Sequence, residues 1–206
     1  MRYLFFKSLA LLIMCVILFD ACALRETVDE VNRVEYNTTS FKNPVSPYSA
    51  ADPFMTYDHK TGYYYALFTL GDRIEIFRSR HAGSIISDAD SKVIYIPNEK
   101  DGIYGDIWAP EMHKGTDGRW YIYTSGRTDP INQEKHLFVI RALSDDPFGE
   151  WQFVSTLLPD MFCIDPTIYS APLGQQYLCY SRVDPEYGQV LEICRMITPY
   201  ECSSEI

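Results

Sequence analysis

Three short stretches carry carboxylates at matching places: Ala51-Asp52-Pro53-Phe54-Met55, Trp108-Ala109-Pro110-Glu111-Met112 and Ile164-Asp165-Pro166-Thr167-Ile168. Asp52 and Asp165 stand one residue before their prolines, and Glu111 stands one after. On a strand, side chains alternate with a period of two, so offsets of −1 and +1 are expected to face the same way. Three acids aimed at one cavity from different sides is the arrangement that acid–base cleavage of a glycosidic bond requires. A lone Asp-Pro pair more often only initiates a turn. Two copies in register, with a third acid between them, argue for chemistry.

The elements that must position these acids recur as well. The prolines fall at 53, 110 and 166, intervals of 57 and 56. Two positions after each comes Met55, Met112 or Ile168, and eleven after each comes Tyr64, Tyr121 or Tyr177. This is an internal repeat. Each unit reads as strands alone. The first offers 52–57, 63–69, 73–79 and 92–96; the second offers 108–113, 119–125, 136–143 and 151–157. Turn signals separate them at Lys60-Thr61-Gly62, Gly115-Thr116-Asp117-Gly118 and Asp146-Pro147-Phe148-Gly149. No 12-residue stretch beyond residue 23 holds a clean helical period. Four short antiparallel strands per repeat of about 50 residues is the pattern of a β-propeller blade. The expected fold is therefore all-β, with the proline-bearing strand as an edge strand lining the central channel, where a missing N–H costs little.

Composition narrows the partners. The 206 residues are 47% hydrophobic, enough to bury a core rather than stay disordered. Residues 1–23 read as a signal peptide: Arg2 and Lys7, an apolar run from Leu9 to Phe19, then Ala21-Cys22-Ala23 as the cleavage site. The run is short for a membrane span. Secretion is expected, with a lipoprotein anchor through Cys22 as the alternative. Only that anchor would bring a membrane into the account. Residues 24–43 form an N-terminal segment. Without residues 1–23 the chain carries 16 basic and 27 acidic residues, a surface that repels nucleic acid and anionic lipid. Cys163, Cys179, Cys194 and Cys202 lack CxxC spacing, so no zinc site is expected, and their pairing is left open. His59, His81, His113 and His136 are scattered. No GxGxxG or GxxxxGK[ST] element signals a nucleotide.

Taken together, the motifs resemble glycoside hydrolase family 43, five-bladed propeller enzymes acting on arabinose- and xylose-containing polysaccharides. The resemblance rests on Asn43-Pro44 leading to Asp52-Pro53, on Gly71-Asp72-Arg73-Ile74-Glu75, and on Asp106-Ile107-Trp108-Ala109-Pro110-Glu111-Met112-His113. It continues through Gly118-Arg119-Trp120-Tyr121-Ile122-Tyr123 and Ile164-Asp165-Pro166-Thr167, and it favours the arabinofuranosidase and arabinanase branch. It implies an inverting hydrolase in which Asp52 is the general base and Asp165 tunes the acid's pKa. Glu111 would contact sugar hydroxyls, and Trp108 and Phe54 would offer stacking faces, a core role being equally open for both aromatics. No cofactor or metal is implied, a structural calcium at the propeller centre staying open.

The family's general acid is a glutamate at the head of a fourth blade, one repeat beyond Asp165 and so near position 220. Residues 44–206 are therefore expected to be a C-terminally truncated propeller domain of about two and three-quarter blades. By this count the third blade has three strands, ending soon after Val190–Met196, and Tyr200–Ile206 offers no strand. Glu192 reads as a strand residue, and Glu186, Glu201 and Glu205 as solvated charges. Without the acid, the chain alone is expected to be inactive or weakly active. The rival reading is a non-catalytic carbohydrate-binding propeller fragment.

Overall fold

The computed structural model describes residues 43–46, 49–87 and 89–203. The expected signal peptide, nearly all of segment 24–43, and Glu205 lie outside them. The described chain is all-β, with two 3-10 turns and no α-helix among the described residues. Its strands are β1 (Ala51–Asp58), β2 (Tyr63–Thr69), β3 (Ile74–Ser79), β4 (Asp90–Tyr95), β5 (Trp108–Lys114), β6 (Trp120–Arg127), β7 (Lys135–Ala142), β8 (Trp151–Leu157), β9 (Cys163–Ser170), β10 (Gln176–Asp184), β11 (Gly188–Thr198) and β12 (Glu201–Cys202). They form three four-stranded sheets in chain order, β1 to β4, β5 to β8 and β9 to β12. All pairings within the sheets are antiparallel, and β1, β5 and β9 are edge strands.

Burial follows from the stacking. The middle sheet is covered on both faces, so β6 is buried continuously from Trp120 to Gly126 rather than at alternate positions. Trp120 and Ile122 pack towards the first sheet with Tyr65, Leu67, Ile74, Ile76, Phe138 and Ile140. Tyr121 and Tyr123 pack towards the third with Leu137, Val139, Ile168, Leu178, Tyr180 and Met196. Two apolar layers thus hold three sheets, and each layer takes alternate residues from the strands between.

The registers refine the repeat. Met112 faces Ile122 and Ile168 faces Leu178, ten positions on, but Met55 faces Ala66, eleven on. The first hairpin holds one extra residue. The structural counterpart of Tyr121 and Tyr177 is therefore Tyr65 and not the expected Tyr64. The three tyrosines each sit opposite an arginine on the next strand, as Tyr65–Arg78, Tyr121–Arg141 and Tyr177–Arg195.

The tail also differs from expectation. Glu201–Cys202 forms a short fourth strand of the third sheet, with Cys202 opposite Met196. Hydrogen bonds fix the turn before it. Tyr123 donates to the Pro199 carbonyl at 2.6 Å, and Ser155 donates to the Tyr200 carbonyl at 2.9 Å. Ser203 N–H then reaches the Arg195 carbonyl at 2.8 Å. The residues that anchor the turn sit on the middle sheet, which a local strand pattern does not reveal.

Candidate active site

The acids stand on irregular backbone. In β1, Ala51 faces Thr69 and Phe54 faces Leu67, so Asp52 and Pro53 together oppose Phe68. Ala109-Pro110 likewise opposes Thr124, and Asp165-Pro166 opposes Tyr180. Each inner strand carries the same two-against-one bulge, which re-aims side chains. In all three the residue before proline has positive φ: Asp52 at 51°, Ala109 at 45° and Asp165 at 55°. Non-glycine residues rarely hold that conformation, and its cost is tolerated where a side chain must be aimed.

The bulge changes the geometry expected from alternation. An extra residue breaks the period of two, so offsets −1 and +1 no longer share a face. Phe54 packs against the apolar layer between the first two sheets, with its ring 5.1 Å from that of His113. Glu111 lies 2.8 Å from His113 Nε2, and no hydrogen bond or ion pair joins it to Asp52 or Asp165 among the described residues.

Asp52 and Asp165 do reach one another electrostatically. Loss of hydration pushes the Asp165 carboxyl above its ordinary value, and the charge of Asp52 pushes it further. Asp165 is exposed as a residue, yet its carboxyl is sheltered enough for desolvation to be the larger cause.

One hydroxyl ties the first two blade heads together. Thr69 Oγ1 donates to Asp52 Oδ2 at 2.7 Å and accepts from the Ala109 N–H at 2.8 Å. Thr69 thus fixes the Asp52 carboxylate against the middle sheet's bulge. Trp108 comes next to that bulge with 39% of its surface exposed. Lys135 Nζ lies over the indole, 4.0 Å from the ring centroid, and 3.5 Å from Asp106 Oδ2. Asp106 also faces Arg127 Nε at 3.4 Å.

Thr69, Asp106, Arg127 and Lys135 were not singled out from sequence as site residues. Asp106 lies inside the matched motif. Lys135 follows Asn132-Gln133-Glu134, a polar run that reads as solvated loop. A cleft of about 440 Å³ lies elsewhere, lined by Tyr57, Asp58, Lys60, His113, Lys114 and Trp120. It sits at the other end of β1, about 20 Å along the strand from Asp52. Asp58 there is spent on Thr61 and Lys114, at 2.9 Å and 3.1 Å.

A family model described as glycosyl hydrolases family 43 matches residues 41–204. Alpha-L-arabinofuranosidase B of Pyricularia oryzae is 33% identical over 179 residues, covering 81% of this chain and 34% of that protein. The extracellular exo-alpha-(1->5)-L-arabinofuranosidase of Streptomyces chartreusis is 30% identical over 150 residues, covering 70% of this chain and 44% of that one. The chain thus spans about a third to under half the length of these curated relatives. Among solved structures, the alpha-L-arabinofuranosidase of Lactobacillus brevis matches with a TM-score of 0.69 at 24% identity, over 80% of this chain and 54% of that chain. The endo-arabinase of Bacteroides thetaiotaomicron matches at 0.66 and 21%, over 81% and 57%. At these identities the structures speak to the fold alone.

Proposed function

The chain belongs to glycosyl hydrolases family 43, and from that premise we propose that its blade-head aspartates serve hydrolysis of arabinose-containing saccharides. Asp52 is the general base. Thr69 holds its Oδ2 and fixes the carboxylate, leaving Oδ1 unengaged among the described residues to take a proton from water. Asp165 supplies a second carboxyl whose charge state is tuned by shelter and by Asp52. Trp108 offers a sugar-stacking face, and Glu111, oriented by His113, is assigned to sugar hydroxyls. Phe54 supports this wall from the core side. The chain's part in the chemistry, activating water, needs no cofactor.

The observation that carries this reading is the repeated Asp-Pro bulge with its positive φ at Asp52 and Asp165. It aims two carboxyls from two sheets closely enough to interact, at a cost in backbone strain. The names of the two curated relatives favour arabinofuranosides over xylosides as substrates. Among the described residues, Asp52 is assigned the base and Asp165 the modulator, and no described glutamate is assigned the general acid. Export is part of the proposal, supported by the apolar run Leu9 to Phe19 and by the extracellular relative, with anchoring through Cys22 as its alternative.

Titration calorimetry with arabinotriose and xylotriose tests the substrate class. Binding of arabinotriose, weakened about tenfold or more by Trp108→Ala, is expected. Binding of xylotriose alone, or of neither sugar, would overturn it.

A further inference from the structure

Among the described residues, Lys135 is a buried cation that the proposed chemistry leaves unused. It opens β7 opposite Arg127, and its side chain is 4% exposed. A buried ammonium is costly unless charge or polar groups surround it. Among the described residues two groups face Nζ: Asp106 Oδ2 at 3.5 Å and the indole of Trp108 at 4.0 Å. Asp106 is itself fixed. Its loop is knitted to β6 by Tyr104 N–H to the Arg127 carbonyl and Arg127 N–H to the Gly105 carbonyl, both 2.8 Å. Arg127 adds Nη2 to the Tyr104 carbonyl at 2.8 Å.

A methionine would fill the same volume without the desolvation cost, so packing alone does not call for a lysine here. What the cation adds is a directional hold on an aromatic face. Lys135 takes one face of the ring, while Trp108 as a residue keeps 39% of its surface in solvent. The neighbouring Ala109 N–H is tied through Thr69 to Asp52. The ring and the general base are therefore set on one hydrogen-bonded frame.

We propose that Lys135 is a positioning residue that clamps one face of Trp108, with Asp106 holding the ammonium in place, so that the other face meets a sugar ring beside Asp52. This rests on the arabinose-binding reading above. Asp106 is the second member of the clamp, and its role is to orient Lys135.

The test has two parts. Without sugar, the Trp108 fluorescence of the purified chain is isolated by subtracting the Trp108→Ala spectrum. Lys135→Met is expected to shift this emission and raise its acrylamide quenching; an unchanged Trp108 signal overturns the clamp. With arabinotriose, Lys135→Met is expected to weaken binding about fivefold. Much less loss is expected when the same change is made on a Trp108→Ala background. Equal loss on both backgrounds, or none on either, overturns the positioning role. If Lys135→Met fails to fold, Asp106→Asn carries the test from a 44% exposed position. It is expected to weaken binding about twofold on the native background only, and no change overturns the proposal. Failure of the native chain to bind arabinotriose condemns the substrate reading, while the fluorescence result still decides the clamp.

Discussion

Asp165 illustrates how a carboxyl proposed for chemistry acts against the fold that holds it. Its pKa is raised, first by desolvation and then by Asp52. The folded chain therefore holds this proton more tightly than an unfolded chain does. As pH rises from the ordinary value of 3.8 through the raised one, that preference is lost and the ionised group then costs stability. Asp165→Asn should accordingly raise the melting temperature at neutral pH. For so accessible a group the gain is about 0.5 kcal/mol after screening, roughly 1–2 °C. The gain should vanish in scans run below the ordinary carboxylate range, and a gain independent of pH would deny the shift. Asp52 and Asp165 were legible in sequence because each opens a repeat beside a proline. Thr69 and Lys135 were not, because a strand-end threonine and a lysine after a polar run look the same whether or not they meet an acid or an indole across the sheet.

At the scale of the strand, the bulge is the device that matters. Ala109 occupies in the middle sheet the place that Asp52 and Asp165 hold in the outer two, with φ at 45° and its N–H on Thr69. A β-branched residue is poorly suited to positive φ, so Ala109→Val should cost about 1–3 kcal/mol. It should also weaken sugar binding by loosening Thr69 from Asp52. Denaturant unfolding checks the first effect and calorimetry the second; a neutral Ala109→Val would mean that the bulge is not rigid. Most strand positions were readable from alternation and turn chemistry, and Tyr63–Thr69 and Trp151–Leu157 agree to the residue. The bulge was not readable, because Asp-Pro at a strand head marks a break in pairing without fixing which residues face which. The extra residue in the first hairpin shifted Tyr64 into the place of Tyr65 for a similar reason: two adjacent tyrosines give periodicity no purchase.

Across the whole molecule, the same sheet face recurs with different surroundings. In the middle sheet Leu137 faces Ser125 and Val139 faces Tyr123, and both aliphatic side chains are fully buried. Their counterparts in the third sheet are Leu191 opposite Ser181 and Ile193 opposite Cys179, and they are 77% and 56% exposed. Leu137→Lys should therefore abolish folding, since it buries a charge with no partner. Leu191→Lys should change stability by less than about 0.5 kcal/mol and reduce self-association of the purified chain. Equal effects of the two substitutions would contradict the stacking order. Four-stranded blades were foreseen from the repeat; which faces are covered depends on neighbours that no local pattern names. The measurement that tests the central claim most directly is hydrolysis of 2,4-dinitrophenyl α-L-arabinofuranoside by the native chain and by Asp52→Asn. This leaving group departs without protonation, so the rate isolates activation of water from any need for a general acid. The account predicts acceleration over the uncatalysed rate that falls about 100-fold or more in Asp52→Asn. Equal rates for the two proteins would contradict the assignment of Asp52 as the base.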